Sequence, residues 1–291
     1  MKISPVITSI MLILLSIVLQ GCVEEFKMIS PPTQAPLMRY TLEKDQFVTY
    51  SIKSELLEEL KVQRKKVENI ITKNIFISYT LQDTINDRYQ LEGKLQFVDI
   101  RYKNTYIGEE YADTKDLQRK IFHISMDTFG EEGPLIGGDE LSYSVPRIGE
   151  KSLEYDFEDF FPELPGYPLE IGQSWTQTDT LYLGDYGENS LLIEEKEHTL
   201  SGYAMVNERG CAVIKTFFTT TMTLSNWSES VEWITDVEYQ GEDTWFFDYK
   251  NGVLVKLIQK AKGGGESIAQ DITGQVIPIK RTFSMEVTLK D

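Results

Sequence analysis

Histidine and cysteine, the side chains that most often serve as catalytic base, thiol nucleophile or zinc ligand, are few in this 291-residue sequence, and their spacing narrows the options further. There are two histidines. His123 sits in the apolar run Ile121-Phe122-His123-Ile124, and His198 sits in Glu195-Lys196-Glu197-His198-Thr199, a polar stretch that reads as exposed. A zinc site needs paired Cys or His ligands, and no His-x-x-x-His or Cys-x-x-Cys is present. The Gly-x-Ser-x-Gly elbow is also absent, so a Ser-His-Asp or Cys-His site would have to be assembled in space around one of those two rings. Cys211 lies in the apolar Cys211-Ala212-Val213-Ile214, where a thiol is expected to be buried and inert.

Carboxylates are plentiful, with 46 Asp and Glu. The densest group is Glu154, Asp156, Glu158 and Asp159, interleaved with Leu153, Tyr155, Phe157 and Phe160. Two acids facing each other across a groove can hydrolyse a glycoside, and several together can hold a cation. Because these acids fall largely at alternate positions, they predict a strand with a solvated acidic face opposite an aromatic one. The loop Gly184-Asp185-Tyr186-Gly187-Glu188-Asn189 offers oxygen ligands but lacks the EF-hand spacing, and reads as a plain turn. Neither Gly137-Gly138-Asp139 nor Gly263-Gly264-Gly265 continues into a P-loop or Rossmann pattern, so no nucleotide cofactor is implied. Asn226-Trp227-Ser228 matches a glycosylation sequon and carries no further argument. No catalytic residue, metal site or cofactor is assigned.

The elements that would have to position these groups are strands. Phe283, Met285, Val287 and Leu289 alternate with polar residues, as in a half-buried antiparallel strand. Around Asn251-Gly252, a three-residue loop (Lys250 to Gly252) with Gly252 left-handed would pair Tyr249 with Val253, Phe247 with Val255 and Trp245 with Leu257 on one apolar face. Further strands are predicted near 47–53, 73–82, 88–103, 119–126, 174–183, 190–206, 211–225 and 230–240. Turns are predicted at residues 130–134, Gly137-Gly138, 184–187 and Gly263-Gly264-Gly265. Ser54–Ile71 admits two readings. Leu56, Leu60, Val67 and Ile71 at helical spacing, with Ser54 as N-cap, give one helix near 54–71. The alternation that enters from Val48, Tyr50 and Ile52 instead gives two strands turning at Arg64-Lys65-Lys66, and this reading is preferred. The fold class is therefore mainly β, a large antiparallel meander forming a half-barrel or sandwich. Three prolines among Pro162, Pro165 and Pro168 exclude a helix interior or a central strand, and mark 161–172 as a crossover between β halves at 38–160 and 173–291.

The first 22 residues carry an address. Lys2 precedes an apolar run from Ile7 to Leu19, too short to span a bilayer comfortably, and Leu19-Gln20-Gly21-Cys22 follows. This segment resembles the lipobox signal peptide of prokaryotic lipoproteins. The resemblance implies cleavage after residue 21, thioether lipidation of Cys22 and a mature protein held to the membrane by acyl chains. Cys211 is then left without a partner, and no disulfide framework exists. Residues 22–37, with Glu24, Glu25, Pro31, Pro32 and Pro36, are expected to be a tether. Val23 in place of Asp after the cysteine points to the outer membrane by the enterobacterial sorting rule. The mature region resembles β-rich envelope lipoproteins and, more distantly, the half-barrel carriers that shelter acyl chains in the periplasm.

Removing residues 1–21 deletes one Lys and no acid, so 28 basic residues face 46 acidic ones, a charge of −18. That balance argues against nucleic acid as a partner and against a basic membrane-binding face, so attachment must come from the lipid. The expectation is a non-enzymatic, membrane-anchored envelope lipoprotein whose β domain binds an apolar, lipid-like ligand or an envelope partner protein. A structural assembly module without a small ligand and a carboxylate-based hydrolase are the alternatives.

Overall fold

A computed structural model describes residues 26–185, 188–228, 231–271 and 273–290. Cys22 and the signal segment lie outside the described residues, as do Tyr186 and Gly187 of the glycine-containing loop. Period-two alternation is realised as fourteen strands among the described residues: β1 (Lys27–Met28), β2 (Phe47–Val62), β3 (Lys65–Ile85), β4 (Arg88–Asn104), β5 (Gly108–Tyr111), β6 (Ile121–Met126), β7 (Ser142–Val145), β8 (Gly149–Ser152), β9 (Ser174–Asp185), β10 (Glu188–Val206), β11 (Arg209–Ser228), β12 (Val231–Asp248), β13 (Val253–Ala269) and β14 (Val276–Lys290).

Twelve of these form one antiparallel sheet, in the order β1-β10-β11-β12-β13-β14-β2-β3-β4-β5, with β9 beside β10 and β6 beside β4. The sheet does not close, in keeping with the expected mainly-β half-barrel or sandwich. The two halves of the chain are joined in its middle, where β14 pairs with β2 along Ile279↔Leu60 to Lys290↔Thr49.

Several expectations need correction. Residues 54–71 hold no helix: β2 runs unbroken to Val62, and the turn is Gln63-Arg64, both at positive φ (48° and 68°), one residue earlier than expected. Strong helix formers here yield to cross-strand pairing on both sides, since β2 lies between β14 and β3. The β12–β13 turn takes four residues, because the Asp248 carboxylate accepts from the backbone N–H groups of Lys250 (3.0 Å) and Asn251 (3.1 Å). Asp248 therefore pairs with Val253 and Phe247 with Leu254; a bulge at Val255 then restores the expected Trp245↔Leu257 register. Gly252 is left-handed (φ 65°) as expected.

Gly263-Gly264-Gly265 is not a turn but the middle of β13. A Cβ on Gly263 would stand 2.0 Å from the Glu238 carbonyl oxygen, and one on Gly265 would stand 1.8 Å from that of Asp236, so the neighbouring backbone leaves no room for a side chain. Within the stretch expected as a tether, Lys27–Met28 pairs with Ala204 and Met205, and the Phe26 ring lies 4.2 Å from that of Phe246.

The acidic cluster is not a strand either. Glu154–Asp156 is a single 3-10 turn, and it carries Leu153 and Phe157 fully buried into the core. From there the chain runs through Phe160 and Phe161 into the Pro-rich crossover. Phe161 meets Tyr79 at 5.0 Å and Tyr40 at 5.6 Å, while Phe160 meets Tyr50 at 5.4 Å. Burying such rings stabilises by about 1.5–3 kcal/mol each. The segment 153–165 is thus a plug seated against the inner face of the sheet.

Candidate functional site

Register decides what the inner face presents. Alternate residues of one strand share a face, so inner residues of neighbouring strands line up in rows across the sheet. One row is apolar: Leu200, Ile214, Trp245, Leu257, Val287, Ile52 and Ile75. The next, two residues along each strand, is mixed: Trp175, His198, Thr216, Asp243, Gln259, Met285 and Ser54. Beyond it lies a row containing Lys196, Phe218, Gly241, Ala261 and Phe283, and then one containing Asp179, Glu194 and Thr220.

Polar side chains on an inner face must satisfy one another. Lys196 does so by lying among three carboxylates: Asp159 of the plug at 2.8 Å, Asp179 at 3.0 Å and Glu194 at 2.8 Å. Burial works against its ammonium, but those three charges hold its pKa well above the ordinary lysine value. Asp159, Asp179 and Glu194 bring oxygens within 4.8 Å of one another, close enough for a metal, yet the Lys196 ammonium sits where the ion would. On the other flank of the plug, Lys73 reaches Asp156 at 2.6 Å. Two of the four clustered acids are therefore counter-ions that pin the plug to the sheet.

His198, expected to be exposed, is buried at 3% exposure, because β10 turns Glu194, Lys196 and His198 inward while Glu195 and Glu197 face solvent. Its ring stacks on Trp175 at 4.7 Å. Nδ1 lies 2.8 Å from Thr216 Oγ1, which also accepts from Trp245 Nε1 at 2.9 Å; Nε2 lies 3.3 Å from Gln177 Oε1. The Gln177 amide donates to Asp179 at 2.9 Å. One assignment gives every group a partner: Trp245 donates to Thr216, Thr216 to Nδ1, Nε2–H to Gln177, and Gln177 to Asp179. Burial, with the nearby Lys196 charge, lowers the His198 pKa to about 4, so the ring is neutral as that chain requires. His123 stands exposed on β6. Cys211 is fully buried as expected, and burial pushes its thiol up to about 12.

Between plug and sheet lies a cavity of about 320 Å³. Its apolar wall comprises Trp245, Leu257, Phe283, Met285 and Val287, with Leu181 and Leu192 toward β9. Its polar wall comprises Glu194, Lys196, His198, Asp243 and Gln259, with Glu158, Asp159 and Glu163 on the plug side. Oδ1 of Asp243 is shut off from solvent and has no hydrogen-bond partner among the described residues. Burial, reinforced by the Glu194 charge, raises the Asp243 pKa to about 7. Burial and the charges of Asp159 and Asp179 likewise raise Glu163 to about 7. A second cleft of about 380 Å³, between β9 and the 132–135 segment, shares Glu158, Asp159, Glu163 and Leu181 with the cavity. Glu132 lines this cleft; burial raises its pKa to about 8, against the stabilising N–H of Phe161 at 2.7 Å.

No protein-family model matches this chain, and no curated protein matches it in sequence. The geometry must therefore speak for itself. Of the residues weighed from sequence, the structure brings Asp156, Glu158, Asp159 and His198 to one cavity and leaves Glu154, His123 and Cys211 off its lining. Sequence reading missed Lys196, Asp179, Glu194 and Asp243. A signal for Asp243 was present, since it lies two residues before Trp245 and so shares the inner face of β12.

Proposed function

We propose that this protein is a membrane-anchored, non-enzymatic envelope lipoprotein whose β domain takes up a small ligand with an apolar body. The cavity beneath the plug is the single observation that carries this reading. At about 320 Å³ it sits at the low end of ligand-pocket sizes and would hold roughly ten waters. That volume suits a small amphiphile or the end of an acyl chain. The apolar wall supplies affinity, and the polar wall supplies orientation. The cleft beside β9 is the natural way in, because no strand pairs with the far edge of β9 among the described residues. Membrane attachment rests on lipid at Cys22, with the outer membrane as destination and no role for nucleic acid.

Native mass spectrometry of the full chain, before and after solvent extraction, tests the ligand reading. One small adduct per chain that extraction removes is expected; a bare mass, with no probe of this size bound afterwards, overturns it. Cys22→Ser should move the protein from the membrane to the soluble fraction, and continued membrane fractionation would sink the anchor.

A further inference from the structure

The large sheet treats its two margins differently. At one, β5 is four residues long, and β6 is covered by the chain that follows it through the bridges His123↔Ile136 and Met126↔Glu132. Short strands and covered edges are the usual defences against stray pairing. At the other margin β9 runs for twelve residues with none of these defences. Ser174–Asp185 holds no Lys, Arg or Pro, and it pairs with β10 without a bulge.

The ladder decides which backbone groups this edge offers. Leu200 turns its N–H and C=O toward the start of β9, donating to the Gln173 carbonyl at 3.0 Å and accepting from Gly172 N–H at 2.8 Å. Bonded and non-bonded pairs alternate along an antiparallel ladder. Trp175, Gln177, Asp179 and Leu181 therefore bond to β10, while Ser174, Thr176, Thr178, Thr180 and Tyr182 aim their N–H and C=O groups away from it. The 2.8 Å contact between the Ser174 and Thr199 hydroxyls agrees, since side chains approach closest in non-bonded pairs. No strand among the described residues takes up the outward groups. Thr178 and Thr180 line the cleft opposite Gly133, Pro134 and Leu135. That far wall competes little for pairing, because Gly133 N–H already donates to Ser125 (2.7 Å) and proline has no N–H.

A long bare edge beside a cleft is a template for an extended backbone. Charge then selects the side chains that come with it. The cleft lining carries the carboxyls of Glu132, Glu158, Asp159, Glu163 and Asp179 and no basic side chain, and Lys196 behind it pairs with Asp159 and Asp179 only among these five. We infer that β9 receives an extended segment of a partner protein as an added strand, with basic side chains turned inward toward Glu158 and Glu163 and neutral ones outward beside Thr176, Thr178 and Thr180. A second copy of β9 suits the edge less well, since its inward residues include Asp179 and no base. This partner surface goes beyond the small-ligand reading and stands without it.

Fluorescence anisotropy with the full chain in detergent tests the inference, using three labelled eight-residue peptides: alternating Lys and Val, alternating Glu and Val, and the Lys–Val peptide methylated at every backbone nitrogen. The Lys–Val peptide should bind one per chain, roughly tenfold or more tightly than Glu–Val, and the methylated peptide should not bind. Thr178→Pro deletes an outward N–H and leaves the β10 ladder whole, so it should weaken Lys–Val binding roughly tenfold with Tm unchanged. The methylated peptide makes the same test without any variant, should Thr178→Pro fail to fold. Equal binding by the methylated peptide, or by a folded Thr178→Pro protein, overturns strand addition. Equal binding by Glu–Val overturns the basic partner. Absence of peptide binding overturns the inference, and a dimer in sedimentation that Thr178→Pro dissolves would then assign the edge to a second copy.

Discussion

Replacing Asp243 with Asn should make the ligand-free protein more stable above neutral pH, although it removes a charged group from an inner face rich in polar contacts. Burial raises this carboxyl from 3.8 to about 7, a shift of roughly three units, for which the ceiling is about 4 kcal/mol at pH well above 7. Solvent relaxation around an ionised group would leave roughly half, about 2 kcal/mol. The sign follows from proton binding: between pH 4 and 7 the folded state holds the Asp243 proton that the unfolded state has released, so ionisation erodes stability as pH rises. His198 works the other way over much of that window. Its pKa is lowered to about 4, so its contribution is lost as pH falls below 6.5. The wild-type curve mixes the two, and the difference between wild type and Asp243→Asn isolates one. Urea denaturation at pH 4.5 and pH 8.5 should give near-equal midpoints for the two proteins in acid. At pH 8.5 the variant should stand ahead by roughly 0.7 M, for a urea slope of about 3 kcal/mol/M. Equal midpoints at both pH values, or a variant less stable at pH 8.5, would refute the account of Asp243 as an enclosed, underserved acid.

Three further outcomes are expected. Lys196→Met leaves Asp159, Asp179 and Glu194 facing one another, so it should cost about 3–5 kcal/mol at pH 8, and the loss should shrink as pH falls and Asp159, whose pKa burial raises, takes up a proton; a pH-independent loss on chemical denaturation contradicts the cluster. Tyr79→Phe removes a buried hydroxyl with no partner among the described residues and should stabilise the protein by about 1 kcal/mol, read as a higher Tm, whereas a fall would mean that the hydroxyl has a partner after all. In a Cys22→Ser background, Cys211 should react with a thiol reagent at pH 8 on the order of a thousandfold more slowly in native buffer than in denaturant, since burial raises its pKa to about 12; fast native labelling contradicts its burial.

The strands were legible because a half-buried strand writes its two faces directly into alternate residues, as in Phe283, Met285, Val287 and Leu289. Residues 54–71 were harder, since Glu, Leu and Lys suit a helix locally and only the partners on β14 and β3 make them a strand. The glycine triplet misleads for a related reason: what forbids a side chain at Gly263 is the backbone of β12, which no local pattern encodes. The cavity was legible least of all. Glu194-Glu195-Lys196-Glu197-His198 looks like a solvated stretch because all five residues are polar. Alternation within β10 still turns three of them inward, and whether that is tolerable depends on Asp159 and Asp179, which arrive from distant segments. Asp159 in turn looked like part of a solvated face, and became a counter-ion only when the 3-10 turn at Glu154–Asp156 bent the chain across the sheet.

The pairing of β14 with β2 sets the order in which this molecule can come into being. The Arg281–Glu58 ion pair spans 223 residues of sequence, and the two meanders hydrogen-bond strand to strand along that seam. During synthesis or export, β2 waits with one edge bare until the last strand emerges, and the apolar row through Ile52 and Val287 stays incomplete meanwhile. Folding that depends on such distant contacts is slow and leaves sticky intermediates. A cut that removes residues 276–290 would not trim an edge; it would divide the large sheet down its centre and leave two sheets, each missing the neighbour that completes its inner face.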